Sequence, residues 1–414
     1  MYVGRGVLRG LAGHGRGLVA GNAVVGNVVV GNVVALGAVS LVTDVSSEMV
    51  TAVLPVYLVA GLGLSPLAFG FLDGLYGGVT AFVRLAAGLG ADRWQRHKLV
   101  AGLGYGLSAA CKPLLLTVAT VPGIAAVLAL DRTGKGIRTA PRDALISLSS
   151  PVGAQGAAFG LHRAMDTAGA LLGPLAAFAI LAVAPGGYPA VFQVSACVAV
   201  FAVLMLALLV RGRASALPRP SFRGVVRSPG FGRIGVLAFA LGAVTLSDPF
   251  VYLLLQDRLD LPVRLFPLLP VGSAAAFLVL AVPLGRAADR WGRRRVFLAG
   301  HAALLLVYGL LLSPVTGGAL VVAVLLAHGA FYAATDGVLM ALAGPLLPEG
   351  GRAGGLAVLQ TAQAAARFVC SLAFGAAWSW WGPGPALAAL AVLLPIVLGA
   401  AVAAGGQPSG RAAV

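Results

Sequence analysis

Residues 88–98 read GLGADRWQRHK, and the pattern returns at residues 285–295 as GRAADRWGRRR, 197 positions later. Each copy is a short basic segment that separates two long apolar runs. Two pairs of aspartates recur at a similar distance, 204 and 205 positions apart: Asp44 with Asp248, and Asp131 with Asp336. These offsets indicate that the chain consists of two halves built on one repeated pattern.

The composition of the 414 residues is that of a membrane protein. Hydrophobic residues make up 59%, charged residues only 10%, and the mean hydropathy is +0.96, whereas a soluble domain carries about 25% charged residues. Because a membrane helix needs about 20 mainly apolar residues, we predict an all-α integral membrane protein of about twelve transmembrane helices in two pseudo-symmetric six-helix bundles. The apolar runs place the spans at 32–59, 66–90, 99–119, 122–145, 156–183, 188–210, 234–256, 265–286, 296–314, 318–345, 353–378 and 384–404.

The basic residues lie on one side of the predicted membrane. They cluster at 93–98, 211–233 and 286–295, while the loops on the opposite side are almost uncharged. By the positive-inside rule, we expect both termini to be cytoplasmic in a multi-pass protein of a bacterial inner (plasma) membrane. Spread in this way, the net charge of +16 does not form a nucleic-acid patch. The three cysteines are far apart, so neither a disulfide framework nor a metal site is expected.

These patterns predict five segments. They are a cytoplasmic, low-complexity N-terminal segment at 1–31, an N-terminal six-helix bundle at 32–210, a basic cytoplasmic linker at 211–233, a C-terminal six-helix bundle at 234–404 and a cytoplasmic tail at 405–414. A duplication of six helices is one architecture expected of a secondary transporter.

The repeated loop resembles the Gly-x-Leu-Ala-Asp-Arg-x-Gly-Arg-Lys/Arg signature of the major facilitator superfamily. Its second copy is the closer match, and Arg132-Thr-Gly-Lys135-Gly136 also resembles the Arg-x-x-Gln-Gly motif of that family. The resemblance implies that spans one, four, seven and ten line a central cavity and that the repeated loops form a cytoplasmic gate. The gate residues would be Gly88, Asp92, Arg93 and Arg96 in the first copy, and Gly285, Asp289, Arg290 and Arg293 in the second.

Span five resembles the motif of the drug/proton antiporter branch of this superfamily. The matching residues are Gly160, Gly169, Gly173 and Pro174, with Arg163 in the same segment. The Gly-Gly that closes the motif is Ala177-Phe178 here, which leaves an importer or facilitator open. Small residues let helices approach closely, so the glycines serve either as a moving joint or as plain packing.

Several ionisable residues fall within the predicted spans, where a charge at the bilayer centre costs about 2.5–3.5 kcal/mol. We therefore expect them to face one another or a wet cavity. Helical spacing places Asp44 and Glu48 on one face of span one, and Asp131, Lys135, Arg138 and Arg142 on one face of span four. The candidates for substrate binding or proton coupling are Asp44, Glu48, Arg132, Asp166, Asp248 and Asp336.

Plainer roles remain open for some of these charges. Asp131 with Lys135, and Arg163 with Asp166, are alternatively fixed structural pairs. His162 is alternatively a neutral packing residue, and Arg138, Arg142 and Asp143 are alternatively solvated or snorkelling at the cytoplasmic end of span four. Lys112 is expected to be paired, with a partner that the sequence does not name.

The leading hypothesis is a secondary active transporter that works by alternating access and exports a small organic compound in exchange for protons. Glu48, with Asp44 as partner, would bind the proton and Arg132 would expel it; Asp166 is the alternative carrier. An importer or facilitator of a metabolite or metal chelate is the second hypothesis, and a polytopic membrane enzyme a remote third. No Gly-x4-Gly-Lys-Ser/Thr loop occurs, so ATP is not the direct driver. We expect a monomer that acts in the lipid bilayer without a cofactor and does not act as an enzyme.

Overall fold

The computed structural model describes residues 20–90, 96–150, 155–212, 230–347 and 352–404. Long helices dominate these segments, joined by short turns. The helices are α1 (Ala20–Val56, continued by a π-helical turn at Tyr57–Gly61), α2 (Pro66–Gly90), α3 (His97–Leu114), α4 (Val121–Leu148), α5 (Gln155–Val183), α6 (Tyr188–Leu209), α7 (Phe231–Gly242), α8 (Asp248–Leu259), α9 (Leu268–Trp291), α10 (Arg293–Leu312), α11 (Gly318–Ala343), α12 (Arg352–Trp381) and α13 (Pro383–Ala404).

The prediction of one continuous helix over 234–256 is wrong. The structure has two helices of 12 residues there, α7 and α8, separated by 243–247. Ser247 has an extended backbone and Pro249 occupies the first turn of α8. A proline is favoured at a helix start, because its missing N–H would be unbonded there anyway, but it interrupts a helix that is already under way.

Tyr308 of α10 satisfies the backbone at this break. Its hydroxyl donates to the carbonyl oxygen of Val244 at 3.0 Å and accepts from the N–H of Leu246 at 2.8 Å. A backbone group without a partner in hydrocarbon costs several kcal/mol. The buried tyrosine therefore makes a discontinuous helix tolerable at this depth.

Among the residues that the structure describes, nine helices are long and apolar enough to cross a membrane by length and composition. The helices α3, α4, α7 and α8 do not meet this criterion. The helix α4 carries Asp131, Arg132, Lys135, Arg138, Arg142 and Asp143. The helix α3 is less apolar and holds Lys112, and α7 and α8 are each too short to span alone, since a span needs about 20 residues.

Contacts divide the chain into two compact units. The first comprises the described residues within Met1–Val53 and Ala86–Arg219, and the second those within Leu54–Leu85 and Pro220–Val414. The two predicted six-helix bundles stay a prediction, as do the predicted roles of 1–31, 211–233 and 405–414. Residues 1–19, 213–229 and 405–414 lie outside the described residues.

In the first unit, α3 and α4 cross at two glycines. A Cβ added to Gly104 would lie 2.6 Å from the carbonyl oxygen of Gly134, and one added to Gly134 would lie 2.7 Å from Ser108 Oγ. Only glycine permits so close an approach of two helix backbones. The crossing brings the charged face of α4 against α3.

In the second unit, α2 packs against α12. A Cβ added to Gly74 would lie 3.0 Å from the Cα of Phe368, and one added to Gly375 would lie 3.2 Å from the Cα of Leu67. Asp73 on the same helix accepts a hydrogen bond from Ser371 Oγ at 2.7 Å. The two helices are therefore joined by close backbone contact and by one buried polar bond.

Candidate functional site

The first unit holds a cluster of opposite charges, which we term the α4 charge cluster. Its members come from four helices, and the five acidic and five basic side chains balance in charge. They are Asp44 and Glu48 on α1, Lys112 on α3, Asp131, Arg132, Lys135, Arg138, Arg142 and Asp143 on α4, and Asp166 on α5. The predicted faces of spans one and four are therefore turned toward each other.

Two carboxylates of α1 meet two cations of α4 at long distances. Glu48 Oε1 lies 4.0 Å from Lys135 Nζ, and Asp44 Oδ1 lies 3.9 Å from Arg138 Nη2. The side chains of Glu48 and Lys135 are 27% and 28% exposed. These ion pairs are looser than a hydrogen-bonded pair, whose N–O distance is about 2.7–2.9 Å, and the Glu48–Lys135 pair is partly exposed.

Asp131 is bound differently. Arg132 donates to its Oδ2 through Nε at 3.0 Å and also through Nη2, and Lys112 Nζ lies 3.9 Å from its Oδ1. All three side chains are at most 10% exposed. The alternative that pairs Asp131 with Lys135 is wrong, because Lys135 faces Glu48 and the cation that lies on Asp131 is Arg132. The unnamed partner of Lys112 is Asp131.

Arg142 joins α4 to α5. Its guanidinium lies 3.0 Å from Asp143 and 3.8 Å from Asp166. The cation beside Asp166 is therefore Arg142, whereas the predicted partner, Arg163, is exposed. Arg138 is not solvated as predicted: its side chain is buried, and its guanidinium lies 4.5 Å from the centre of the Tyr105 ring.

The glycines of α5 pack directly against the two carboxylates of α1. A Cβ added to Gly173 would lie 2.8 Å from the Cβ of Glu48, and one added to Gly169 would lie 3.1 Å from the Cβ of Asp44. Pro174 follows within the same buried stretch. Gly160 has no atom within 4 Å of an added Cβ in the described structure, so it takes no part in this contact.

His162 stands beside this contact. It is fully buried and 2.9 Å from Ser40 Oγ, as expected of a packing histidine. A hydrogen bond between Ser40 and His162 therefore joins α1 and α5 at one end of their contact, and glycines allow close packing along the rest.

The second unit holds a smaller polar group, which we term the α8 polar cluster. Asp248, at the start of α8, accepts a hydrogen bond from Tyr332 and lies 3.4 Å from His328 Nε2. His328 Nδ1 is 3.2 Å from Ser273 Oγ. The guanidinium of Arg367 lies 5.7 Å from the centre of the Tyr332 ring. Four helices, α8, α9, α11 and α12, thus contribute to the site, and Asp248 is the member that the sequence had given as a candidate.

Asp336 lies one turn beyond Tyr332 on α11. It is exposed, and no ion pair joins it to the α8 polar cluster among the described residues. The structure therefore brings Asp248 into direct contact with Tyr332 and His328 and leaves Asp336 at the exposed edge of the cluster.

The predicted gate falls partly outside the described residues. Asp92 and Arg93 lie outside them, while Gly88 falls in the last turn of α2 and Arg96 precedes the first residue of α3. In the second copy, Asp289 is 72% exposed and lies 3.4 Å from Arg293, which also donates to the carbonyl oxygen of Ala341 at 2.8 Å. Gly285 and Arg290 stand on α9 on either side of Asp289.

Comparison with known proteins gives the family. The family model described as Major Facilitator Superfamily matches residues 36–279. The chain belongs to this superfamily. An uncharacterized MFS-type transporter of Methanocaldococcus jannaschii is 28% identical over 282 residues, which are 66% of this chain and 69% of that protein. An uncharacterized protein of Mycobacterium tuberculosis (strain H37Rv) is 32% identical over 152 residues, 37% of each chain.

Solved transporters share the fold of this superfamily member. The nucleoside transporter NupG superposes with a TM-score of 0.78 at 14% identity and covers 91% of this chain and 99% of its own. A POT family transporter solved with a thioalcohol-conjugated peptide gives 0.74 at 13% identity, covering 90% of this chain and 95% of its own. The predicted fold class and superfamily are thus confirmed: the chain is a multi-pass membrane transporter of the MFS type.

Proposed function

We propose that this transporter exports a small organic compound in exchange for protons by alternating access. The observation that supports it is the contrast within the α4 charge cluster. Asp131 is fixed by a hydrogen-bonded arginine, whereas Glu48 is half-buried and 4.0 Å from its cation. A carboxylate that exchanges a proton must be reachable and must be able to lose its partner. Glu48 meets both conditions, and Asp131 meets neither.

In this proposal, Glu48 carries the coupling proton and Lys135 is the cation that favours its release. Lys135 takes the role that the sequence hypothesis gave to Arg132, because the guanidinium of Arg132 is bound to Asp131. Protonation of Glu48 cancels its attraction to Lys135, so the pair favours different packing in its two protonation states.

Protonation of Glu48 is expected to change the packing of α1 against α5. Gly173 lies against the Cβ of Glu48 and Gly169 against that of Asp44, so a shift of α1 at these carboxylates displaces α5 as well. This contact supports assignment to the antiporter-like branch. Asp166, held by Arg142 at 3.8 Å, is the alternative carrier.

The α8 polar cluster is proposed to bind the polar part of the substrate. Asp248 offers a carboxylate, Tyr332 and Ser273 offer hydroxyls, and Arg367 supplies a positive charge near the Tyr332 ring. A few converging polar groups within an apolar helix bundle are typical of small-molecule sites. Asp336 is proposed as an exposed contact at the edge of this site.

We further propose that the chain acts as a monomer in a bacterial inner membrane with both termini cytoplasmic. The distribution of arginine and lysine along the sequence supports this orientation. Neither the nucleoside transporter nor the POT family transporter indicates a substrate, because at 13–14% identity the likeness concerns the fold.

Everted membrane vesicles that acidify their interior by respiration test the proposed direction and coupling. We expect at least one compound from a panel of lipophilic cations, nucleosides and short peptides to collapse part of the pH gradient and to accumulate inside. Vesicles without the chain provide the background, and Asp257→Asn, at an exposed position, should behave as the unmodified protein. Accumulation in right-side-out vesicles, or movement without a change in the gradient, would instead establish the importer or facilitator.

The gate gives a second prediction for this transporter. Asp92→Asn is expected to lower turnover about tenfold with little change in ligand affinity. In this proposal the Asp92 carboxylate accepts a hydrogen bond that holds the gate, and a hydrogen bond to a charged group contributes about 1.5–3 kcal/mol. Asp289→Asn should have a much smaller effect, since Asp289 is exposed and an exposed pair four residues apart contributes only about 0.3–0.5 kcal/mol. Transport rates and ligand-binding isotherms of the two purified variants provide the measurement. Near-normal transport in both would show that these loops only orient the chain.

A further inference from the structure

Each unit carries a basic groove at an equivalent place in the repeat. The first, of about 610 Å³, lies between the start of α3 and the end of α6; the second, of about 860 Å³, lies between the start of α10 and the end of α13. Lys98 Nζ donates to the carbonyl oxygen of Ala207 at 2.8 Å, and Arg294 Nη2 donates to that of Ala401 at 2.5 Å. Each unit therefore has a basic side chain bound to the last turns of a neighbouring helix, although the repeat aligns Lys98 with Arg295 and not with Arg294.

Both grooves place cations where helix electrostatics disfavours them. The helix α10 begins with Arg293, Arg294 and Arg295 and has no acidic residue in its first turn. The helix α3 begins with His97 and Lys98 after Arg96. A helix N-terminus carries a partial positive charge that stabilises anions and destabilises cations. An anion bound at either place would interact favourably with the partial positive charge of the helix N-terminus and would neutralise part of the side-chain charge.

The second groove is lined by more basic than acidic side chains. Asp289 also lines it, but Arg293 lies 3.4 Å from that carboxylate. Arg290 and Arg295 are exposed, and among the described residues neither has a carboxylate within 4.0 Å. The groove therefore keeps an unbalanced positive charge.

The groove also sits at a membrane boundary. Trp291 is the last residue of one apolar span and Arg293 is the first of the next. Tryptophan is enriched at the level of lipid headgroups, and the side chain of Trp291 is 62% exposed. These features place the excess charge beside the headgroup layer.

An apolar groove of about 330 Å³ adjoins the basic one and shares Trp291 and Arg295 with it. Arg295, Ala299 and Ala303 follow one face of α10 over two turns, about 12 Å at 1.5 Å per residue. Ala330 and Ala334 of α11 form part of the opposite wall. Short side chains leave a channel that runs from the cations into the span.

We propose that this composite groove binds an anionic phospholipid, with its headgroup on Arg290 and Arg295 and an acyl chain along the alanines of α10 and α11. A basic pocket between transmembrane helices suits such a headgroup. The adjoining apolar channel favours a lipid over a free anion, because a free anion leaves that channel without an occupant. The first groove repeats the basic part with Arg96 and Lys98.

Fluorescence of Trp291 tests the proposal. A variant with Trp291 as its only tryptophan is reconstituted in phosphatidylcholine with rising fractions of dibrominated phosphatidylglycerol or, separately, dibrominated phosphatidylcholine. We expect the brominated anionic lipid to quench at several-fold lower fraction. Arg290→Gln and Arg295→Gln should each weaken that preference about fivefold, since a basic residue near the surface contributes about 1 kcal/mol. Arg286→Gln removes an exposed arginine outside the groove and should change nothing.

A second variant separates the lipid from other anions. Ala303→Leu fills the apolar channel without changing charge and should also reduce quenching by the brominated anionic lipid. The difference in quenching between the full chain and Trp291→Phe supplies the same signal with all other tryptophans in place. Any one of three outcomes would overturn the proposal. They are equal quenching by the two lipids, an unchanged preference in the double Arg290→Gln/Arg295→Gln variant, and competition by millimolar inorganic phosphate with no effect of Ala303→Leu.

Discussion

Glu48→Gln is expected to abolish gradient-driven accumulation of substrate and to leave substrate counterflow intact. Glutamine keeps the shape of the side chain but neither binds nor releases a proton. The 4.0 Å approach of Lys135 Nζ to Glu48 is the charge interaction that the proton switches. Counterflow needs only that the loaded transporter reorients, so a pure coupling variant keeps it. The expected loss of accumulation is complete, down to the level of vesicles that lack the protein.

Reconstituted vesicles with an imposed pH gradient provide the measurement, and equilibrium counterflow without a gradient provides the reference. Asp257→Asn makes the same carboxylate-to-amide change at an exposed position and serves as the matched control. If Glu48→Gln, Asp44→Asn and their double variant all still accumulate substrate in response to the gradient, Glu48 is not the carrier. Asp166 then becomes the candidate to test.

Arg132→Met is expected to destabilise the protein by about 3–5 kcal/mol, because removing one partner of a buried ion pair leaves an uncompensated charge. Arg132 donates two hydrogen bonds to the buried Asp131, whose other cation, Lys112, is 3.9 Å away. Thermal unfolding of the purified protein in detergent measures the loss. Asp131→Asn in the same chain should restore part of the stability.

Arg163→Met is the matched control for this substitution, because Arg163 is an exposed arginine of the same unit. It should change stability by no more than about 0.5 kcal/mol. A stable Arg132→Met protein that fails only in gradient-driven transport would return Arg132 to the coupling role that the sequence suggested.

Most of the fold could be read from the sequence, because apolar run length determines where a chain crosses a membrane. The predicted span at 66–90 matches α2, and that at 188–210 ends one residue beyond α6. The break between α7 and α8 escaped prediction because 243–246 are apolar or small. Ser247 followed by Pro249 was the available signal, since both favour a helix start.

The site was predictable one helix at a time. Helical spacing correctly put Asp44 with Glu48 on one face of α1 and four charges on one face of α4. It does not give the rotation or the height of one helix relative to its neighbour. For that reason the sequence offered Lys135 to Asp131, one turn away on the same helix, whereas the structure places Lys135 beside Glu48 and Lys112 beside Asp131. Pairing across helices depends on packing that no periodicity records.

The polarity of α4 has a consequence for how the protein is made. Each charged residue near the middle of a span raises the cost of its insertion by about 2.5–3.5 kcal/mol, and α4 contributes several while α1 and α5 hold counter-charges. Such a helix is unsuited to leave the translocon alone. We expect α4 to pack against α1, which is synthesised earlier, before α4 enters the lipid. Its basic residues would then already be paired with the carboxylates of α1. Residues such as Glu48 and Asp44 would then serve the nascent chain first, as docking partners, before they ever serve transport.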